Sequence, residues 1–256
     1  MEESSSPLEI IENTLDEVLP KAVERPAVLS EGMRYAVGTG GKRIRPLVCL
    51  ASSVAVGGRP EDARYPAAAI ELLHNYTLVH DDLPAMDDDT ERRGKPTVWT
   101  KFGEANAILV GDALQALAFK VAAKAPRNVG EIVATLGAAG VGVVRGQVED
   151  VDKSKDVDFV YEHKTADLFI ASAVMGGYAG GGSAADIEAL RAFALDLGLA
   201  FQYEDDLLDG DSPYAKEKTE ALVRETTAAA IAALAVLPGD TSALKSLARK
   251  LAGRKV

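Results

Sequence analysis

Two aspartate clusters carry the clearest chemistry in the sequence. The first reads DDLPAMDDD at residues 81–89, and the second reads DDLLD at residues 205–209. Carboxylates this close repel one another, and near a low-dielectric surface the repulsion keeps some of them protonated unless cations lie between them. Oxygen ligands in this number favour Mg²⁺, which takes a few carboxylates together with water and phosphate oxygens. The clusters predict a site that holds a phosphate-bearing ligand through metal ions.

Helical spacing brings several of these carboxylates together. Asp205 and Asp209 are four residues apart, so they project from the same face of a helix. In the first cluster, Asp81 ends a helical pattern, and Pro84 lacks the N–H that the helix needs to continue. We predict that the chain turns at Pro84 and brings Asp87 back towards Asp81. The first cluster lacks the alternating acidic ligands, central glycine and terminal glutamate of an EF-hand.

Basic residues occur where a diphosphate needs them. Lys42 and Arg45 follow a glycine pair, and Arg92 and Arg93 directly follow the first aspartate cluster. His74 lies two helical turns before that cluster, on the same predicted face. The arginine fork suits two phosphate oxygens at once, and lysine adds a mobile point charge. An acidic or basic run alone is usually a solvated surface, but their combination favours a diphosphate site.

Composition limits the classes of function. A net charge of -11 over 256 residues argues against a nucleic-acid partner. Cys49 is the only cysteine, so no intrachain disulfide forms, and the first residues lack a signal-peptide pattern. No apolar stretch is expected to reach membrane-spanning length, because charges or glycines interrupt each one. We expect a cytoplasmic protein without membrane insertion.

The pattern is helical nearly throughout. Apolar residues recur at three- and four-residue spacing over 8–19, 66–82, 104–124, 129–148, 157–176, 184–209 and 217–236. Glycine, proline and asparagine interrupt it near 38–41, 57–60, 125–128, 180–183 and 209–213, which predicts turns there. Ser183 or Asp186 is placed to cap the helix that follows. The sequence predicts an all-α helical bundle without a linker between domains.

These motifs resemble those of the trans-isoprenyl diphosphate synthases, or polyprenyl synthetases, most nearly the bacterial farnesyl diphosphate synthases. In order along the chain they read GKRIRP at 41–46, HDDLPAMDDD at 80–89, RRGKPT at 92–97, GDAL at 111–114, GQ at 146–147, HKT at 163–165 and FQ at 201–202, before the second cluster. The resemblance covers nearly the whole chain. It implies a single domain over 1–256, with an isoprenoid-synthase-type helical bundle around a central active-site cavity.

The resemblance also implies a role for each site residue. Three Mg²⁺ ions would be held by Asp81, Asp87 and Asp205, with Asp82, Asp206 and Asp209 completing their coordination. Arg92 and Lys164 would help to bind an allylic diphosphate, whereas Lys42, Arg45, His74 and Arg93 would hold isopentenyl diphosphate. Thr165 and Gln202 would line the reacting centre beside Lys164.

The implied reaction is head-to-tail chain elongation. Loss of diphosphate from dimethylallyl or geranyl diphosphate leaves an allylic cation, which the double bond of isopentenyl diphosphate attacks. Tyr76 lies five residues before Asp81, about a turn and a half deeper on its helix. In the family, a bulky aromatic there is typical of bacterial farnesyl diphosphate synthases, so we predict farnesyl diphosphate as the product. The alternatives are that Tyr76 is a core aromatic only, or that the product is geranylgeranyl diphosphate.

Departures from the family pattern keep other functions open. The loop after Asp209 is short, Lys216 and Lys218 lie where a longer lid is usual, the C-terminal region is short, and Asp167 replaces an uncharged residue. A non-catalytic partner subunit and a class I terpene cyclase therefore remain alternatives. The second aspartate cluster and the basic isopentenyl diphosphate site argue against the cyclase. The family and the apolar helix over 104–123 both favour a homodimer.

Overall fold

A computed structural model describes residues 5–210 and 212–253. The first half contains helices α1 Pro7–Val18, α2 Ala27–Gly38, α3 Ile44–Ala55, α4 Arg64–Asp81, α5 Val98–Phe102 and α6 Glu104–Ala122, with a short 3₁₀ helix at Pro60–Ala63 and strands β1 Glu91–Arg92 and β2 Lys95–Pro96. The second half contains α7 Val129–Val151, α8 Val157–Val160, a π turn at Tyr161–Ala166, α9 Asp167–Gly180, α10 Ala184–Asp209, α11 Lys216–Ala233, a 3₁₀ turn at Leu234–Val236 and α12 Ser242–Leu251.

Local sequence sets the ends of the helices that carry the site. Ser183 and Asp186 form a capping box at the start of α10, which confirms the predicted cap. At the other end of α10, Gly210 takes the left-handed conformation with φ 75°, where glycine pays no Cβ penalty. These two ends fix the length of α10 and place the second aspartate cluster in its last turns.

Helices α4 and α9 lie at the centre of the bundle. Helix α4 packs against α3, α6 and α9, and α9 packs against α3, α7 and α10. Nearly every side of α9 is buried, including the side chain of Phe169, which packs in one core with Phe193 of α10. Because α4 and α10 end in the two aspartate clusters, the same packing that forms the core also fixes where those clusters lie.

The predicted all-α fold is confirmed, with differences in detail. The expected helix over 157–176 is divided by the π turn at Tyr161–Ala166. Helices α2, α3, α5 and α12 were not predicted, because glycine, proline or a short length obscures their periodicity. A two-stranded hairpin also follows the first aspartate cluster, and Arg93 and Gly94 at its tip have φ values of 54° and 73°.

Among residues 5–210 and 212–253, two helices, α6 and α7, are long and apolar enough to cross a membrane by length and composition alone. Both contain the charges and glycines that were expected to interrupt their apolar stretches, although these residues do not end either helix. About 39% of the apolar segment of each helix is buried inside the bundle. Such helices are weak grounds for a membrane span, because core helices of soluble proteins meet the same criterion.

Candidate active site

The first aspartate cluster folds back on itself at the end of α4. The helix ends at Asp81, and the backbone N–H of Asp87 donates to the carbonyl oxygen of Asp81 at 2.9 Å. Asp88 adopts φ 55° and its N–H donates to Leu83 at 3.1 Å, which closes the turn around Pro84. The predicted return of Asp87 towards Asp81 is confirmed, and the cluster forms a compact carboxylate surface.

Arg92 is fixed against this surface by two carboxylates. Its Nε donates to Oδ1 of Asp82 at 2.7 Å, and its Nη2 lies 3.4 Å from Oδ2 of Asp89. Asp82 is buried, whereas Asp89 is exposed. The predicted metal ligand Asp82 and the predicted phosphate ligand Arg92 therefore pair with each other in this structure.

The electrostatics of Asp81 suit a bound cation. Burial raises the pKa of Asp81 to about 6, the neighbouring carboxylates of Asp87 and Asp82 raise it too, and Lys164 and Arg92 lower it. A divalent cation beside this group would relieve both the desolvation and the repulsion. No three His, Cys, Asp or Glu side chains form a closed metal site among residues 5–210 and 212–253. The carboxylate set fits Mg²⁺ that takes its remaining ligands from water and a substrate.

The second aspartate cluster borders a polar cavity of about 590 Å³. Asp205 lines this cavity from α10, together with Phe201 one turn earlier. Asp209 lies on the same helix four residues later and is exposed, as the predicted spacing requires. The opposite wall comes from His74 and Leu78 of α4, so the cavity lies between the helices that carry the two clusters.

The basic loop before α3 forms another side of this cavity. Lys42 and Arg45 line it, and Arg93 reaches it from the hairpin tip, where its guanidinium donates to the carbonyl oxygen of Gly40. Gly41 has φ 134°, which residues with side chains rarely adopt, and a Cβ atom there would lie 2.7 Å from Nη1 of Arg93, so a larger residue would strain the backbone and displace the guanidinium. The structure thus brings together the predicted cations Lys42, Arg45 and Arg93.

Two buried nitrogen atoms near this cavity lack a partner. Nη1 of Arg45 lies 3.3 Å from Nε2 of His74, but Nε of Arg45 and Nδ1 of His74 make no hydrogen bond within residues 5–210 and 212–253. Burial and the nearby positive charge of Arg45 and Arg93 hold the pKa of His74 well below its ordinary value, so the imidazole is neutral. Unsatisfied buried donors are costly, and an anion in the cavity would satisfy them.

Arg43 is a site residue that sequence reasoning missed. It adopts φ 48° and is 6% exposed, and its guanidinium donates to Glu71 at 2.7 Å, to Glu12 at 2.8 Å and to the carbonyl oxygen of Val37 at 2.9 Å. The only signal in the sequence was its place between Lys42 and Arg45. Its buried ion pair fixes the loop to α4.

The π turn carries the predicted catalytic pair. Nζ of Lys164 lies 2.5 Å from Oδ2 of Asp150 on α7, a partner that sequence reasoning also missed. Oγ1 of Thr165 donates to Oε1 of Gln202 on α10 at 2.7 Å. Thr165 and Gln202 are therefore adjacent as predicted, and Lys164 lies near enough to Asp81 to lower its pKa.

Asp167, which the sequence marked as unusual, points away from these groups. Its Oδ2 pairs with Nδ1 of His163 at 2.8 Å, one turn earlier on the same segment. A Cβ atom at Gly142 would lie 1.8 Å from this oxygen, so α7 approaches Asp167 closely. Burial raises the pKa of Asp167, and the contact with His163 lowers it.

Tyr76 borders a second, mostly apolar cavity of about 320 Å³ directly below Asp81. The side chain is 8% exposed and its ring lies edge-on to His80, with 5.1 Å between the ring centroids. The other walls come from α7, including Val143, Gln147 and Val148. An apolar chain attached to a diphosphate at Asp81 would meet Tyr76 in this cavity.

Solved structures of isoprenyl diphosphate synthases share this fold. An FPP/GFPP synthase from Zymomonas mobilis gives a TM-score of 0.89 at 34% identity, covering 96% of this chain and 97% of that chain. A geranylgeranyl pyrophosphate synthetase from Pyrococcus horikoshii gives a TM-score of 0.89 at 30% identity, covering 97% of this chain and 96% of that chain. The chain therefore has the all-α fold of the isoprenyl diphosphate synthases.

The chain belongs to the polyprenyl synthetase family, which it matches over residues 26–252. It is also 42% identical over 221 residues to the heterodimeric geranylgeranyl pyrophosphate synthase large subunit 1, chloroplastic, of Arabidopsis thaliana. That similarity covers 78% of this chain but 58% of the plant protein, so the chain spans less than two thirds of that relative's length.

Proposed function

We propose that this protein is a Mg²⁺-dependent prenyltransferase that condenses isopentenyl diphosphate with allylic diphosphates. The observation that carries the proposal is the polar cavity between α4 and α10, where Asp205 faces the cations Lys42, Arg45 and Arg93. Carboxylates and fixed cations around one cavity suit two diphosphates, one held through metal ions and one held directly. Family membership over residues 26–252 supports the same reaction.

Different residues would bind the two substrates. Asp81, Asp87 and Asp205 would hold up to three Mg²⁺ ions, which when bound supply Lewis-acid stabilisation of a departing diphosphate. Lys164 and Arg92 would neutralise the same diphosphate, and Arg45 and His74 would orient isopentenyl diphosphate. Thr165 and Gln202 place oxygen dipoles beside the carbon where positive charge develops. The apolar cavity at Tyr76 keeps water from the cation.

We infer that the product is a short trans-prenyl diphosphate, most nearly farnesyl diphosphate. The buried ring of Tyr76 borders the apolar cavity and supports an early stop to chain growth. Similar plant and archaeal proteins are named geranylgeranyl pyrophosphate synthases, which favours a second candidate product, geranylgeranyl diphosphate. To form geranylgeranyl diphosphate, the growing prenyl chain would have to extend past Tyr76. The Tyr76 side chain would have to change rotamer to allow this.

We also infer a homodimer in the cytoplasm. Apolar side chains are exposed along one face of α6 and α7, including Leu109 at 56%, Val141 at 63% and Val148 at 55%. Exposed apolar side chains on two long helices favour burial against another chain, and a second copy offers the same side chains in return. Sedimentation at micromolar concentration tests this part of the proposal, and a monomer would contradict it.

A single incubation tests the main proposal. Purified protein is mixed with Mg²⁺, dimethylallyl diphosphate and radiolabelled isopentenyl diphosphate, with EDTA in a parallel sample. Linear prenyl diphosphates that depend on Mg²⁺ would support the proposal, and their length separates farnesyl from geranylgeranyl diphosphate. Hydrocarbon products would indicate a terpene cyclase, and absence of turnover would indicate a partner subunit without its own activity.

A further inference from the structure

We propose that Asp206 is a positioning residue that holds the π turn at Tyr161–Ala166, and that it is not a metal ligand. The resemblance to the family groups Asp206 with the metal-binding aspartates of the second cluster. In the structure, Asp206 instead belongs to a chain of three hydrogen bonds that the backbone of the π turn closes into a ring. The effect on catalysis rests on the proposed function. The structural role of Asp206 is independent of the proposed function, because it depends only on contacts within the chain.

Four side chains form this ring between the π turn and α10. The hydroxyl of Tyr161 donates to Oδ2 of Asp206, and Nε2 of Gln202 donates to Oδ1 of Asp206 at 2.9 Å. Oε1 of Gln202 accepts from Oγ1 of Thr165 at 2.7 Å, and the backbone of the π turn between Tyr161 and Thr165 completes the ring. Tyr161 and Thr165 are the first and fifth residues of the π turn. The ring therefore ties both ends of the turn to one face of α10.

Asp206 differs from its neighbours in the second cluster. It is 5% exposed and each of its carboxylate oxygens accepts a hydrogen bond from a protein donor. Asp205, rotated by about 100° around α10, borders the polar cavity instead, and Asp209 is exposed. A metal ion bound by Asp206 would have to compete with two protein donors, the buried hydroxyl of Tyr161 and the partly buried amide of Gln202.

The π turn needs such a support. The i→i+5 hydrogen bonds of a π-helix are rare, and they occur mostly as single turns at functional sites. The backbones on either side already press closely on the turn, because a Cβ atom at Gly146 would lie 2.4 Å from the N atom of Lys164 and one at Gly198 would lie 2.6 Å from Cα of Ala166. These contacts restrict translation of the turn, and the ring fixes the orientation of Thr165. Lys164 lies between the two ring residues on this turn.

Thermal unfolding in EDTA tests the structural role without metal or substrate. Asp206→Ala leaves the Tyr161 hydroxyl and the Gln202 amide unsatisfied, so we expect the Tm to fall by about 4 °C or more. The matched control Asp209→Ala, on the same helix and exposed, is expected to change the Tm by less than about 1 °C. If Asp206→Ala changes the Tm as little as the control does, the proposal is wrong.

Tyr161→Phe provides a second and milder test, should Asp206→Ala fail to fold. It is expected to lower the Tm in EDTA in the wild-type background and to have a much smaller effect in the Asp206→Leu background, because leucine cannot accept the hydrogen bond from the Tyr161 hydroxyl. Additive shifts in the Tm would contradict the coupling. This arm is independent of whether the protein turns over any substrate.

Kinetics of Tyr161→Phe, below its unfolding temperature, separate positioning from stability alone. We expect kcat to fall about tenfold, since one hydrogen bond that orients the reacting centre contributes about 1.4 kcal/mol. The KM values for both diphosphates and the Mg²⁺ concentration for half-maximal rate should stay within about twofold. An unchanged kcat, or a raised Mg²⁺ requirement, would overturn the proposal. Inactive wild-type protein would instead contradict the proposed function and leave the Tm results standing.

Discussion

Nη1 of Arg43 lies 2.7 Å from Oε1 of Glu71, and the two side chains are only 5% and 4% exposed. This ion pair joins the loop before α3 to the middle of α4. Lys42 in this loop and Arg45 in the first turn of α3 line the polar cavity, and α4 contributes His74, three residues beyond Glu71. The pair therefore sets the spacing between the groups that would bind isopentenyl diphosphate.

Removing the carboxylate of Glu71 should destabilise the fold strongly. Glu71→Ala leaves the guanidinium of Arg43 with one carboxylate partner, Glu12, which is half exposed, so we expect the free energy of unfolding to fall by about 3 kcal/mol. Asp16→Asn is the control, because Asp16 pairs with Arg34 while 79% exposed and should contribute less than about 1 kcal/mol. Urea denaturation measures both. Equal effects of the two changes would show that the buried pair does not support the loop.

Arg45→Lys should weaken the binding of one substrate and not the other. Lysine keeps the charge but loses the planar fork and the buried Nε that now lacks a partner. We expect the KM for isopentenyl diphosphate to rise about tenfold, equal to about 1.4 kcal/mol, with the KM for the allylic diphosphate unchanged. Arg191→Lys, an exposed change on α10, is the control. A rise in both KM values would mean that Arg45 does not act on isopentenyl diphosphate alone.

Tyr76→Ala should lengthen the product. The ring of Tyr76 lines the apolar cavity below Asp81, and removing it opens space for further isoprene units. Tyr76→Phe keeps the ring and is expected to keep the wild-type product length. Mass analysis of the extracted prenyl diphosphates measures the outcome. The same product from wild type and Tyr76→Ala would exclude Tyr76 as the determinant of chain length.

His74 should make stability decline in mild acid. Burial and nearby arginines hold the pKa of His74 well below 6.5, so the folded protein keeps it neutral while the unfolded chain binds a proton below that pH. The free energy of unfolding is therefore lost as pH falls through 6.5. His74→Gln removes this proton uptake. Between pH 8 and pH 5, the variant should therefore lose less unfolding free energy than the wild type does. A difference that does not depend on pH would contradict the assigned neutral state.

Much of the site follows from short-range sequence patterns. The four-residue spacing of Asp205 and Asp209, and the turn that Pro84 imposes after Asp81, depend on the helix period and on proline geometry. By contrast, the pairing of Arg43 with Glu71 and of Lys164 with Asp150 joins segments distant in the chain, and only tertiary packing brings them together. The π turn was hidden for a related reason, because an extra residue per turn leaves the apolar pattern of 157–176 nearly unchanged.

Calorimetric titration of the protein with a non-hydrolysable prenyl bisphosphonate, with and without Mg²⁺, tests the central claim that both aspartate clusters hold one diphosphate through metal. We predict binding that requires Mg²⁺ and is lost in Asp81→Asn and in Asp205→Asn alike, while Asp16→Asn binds as the wild type does. Binding that survives without Mg²⁺, or that tolerates either of the two cluster substitutions, would contradict the account.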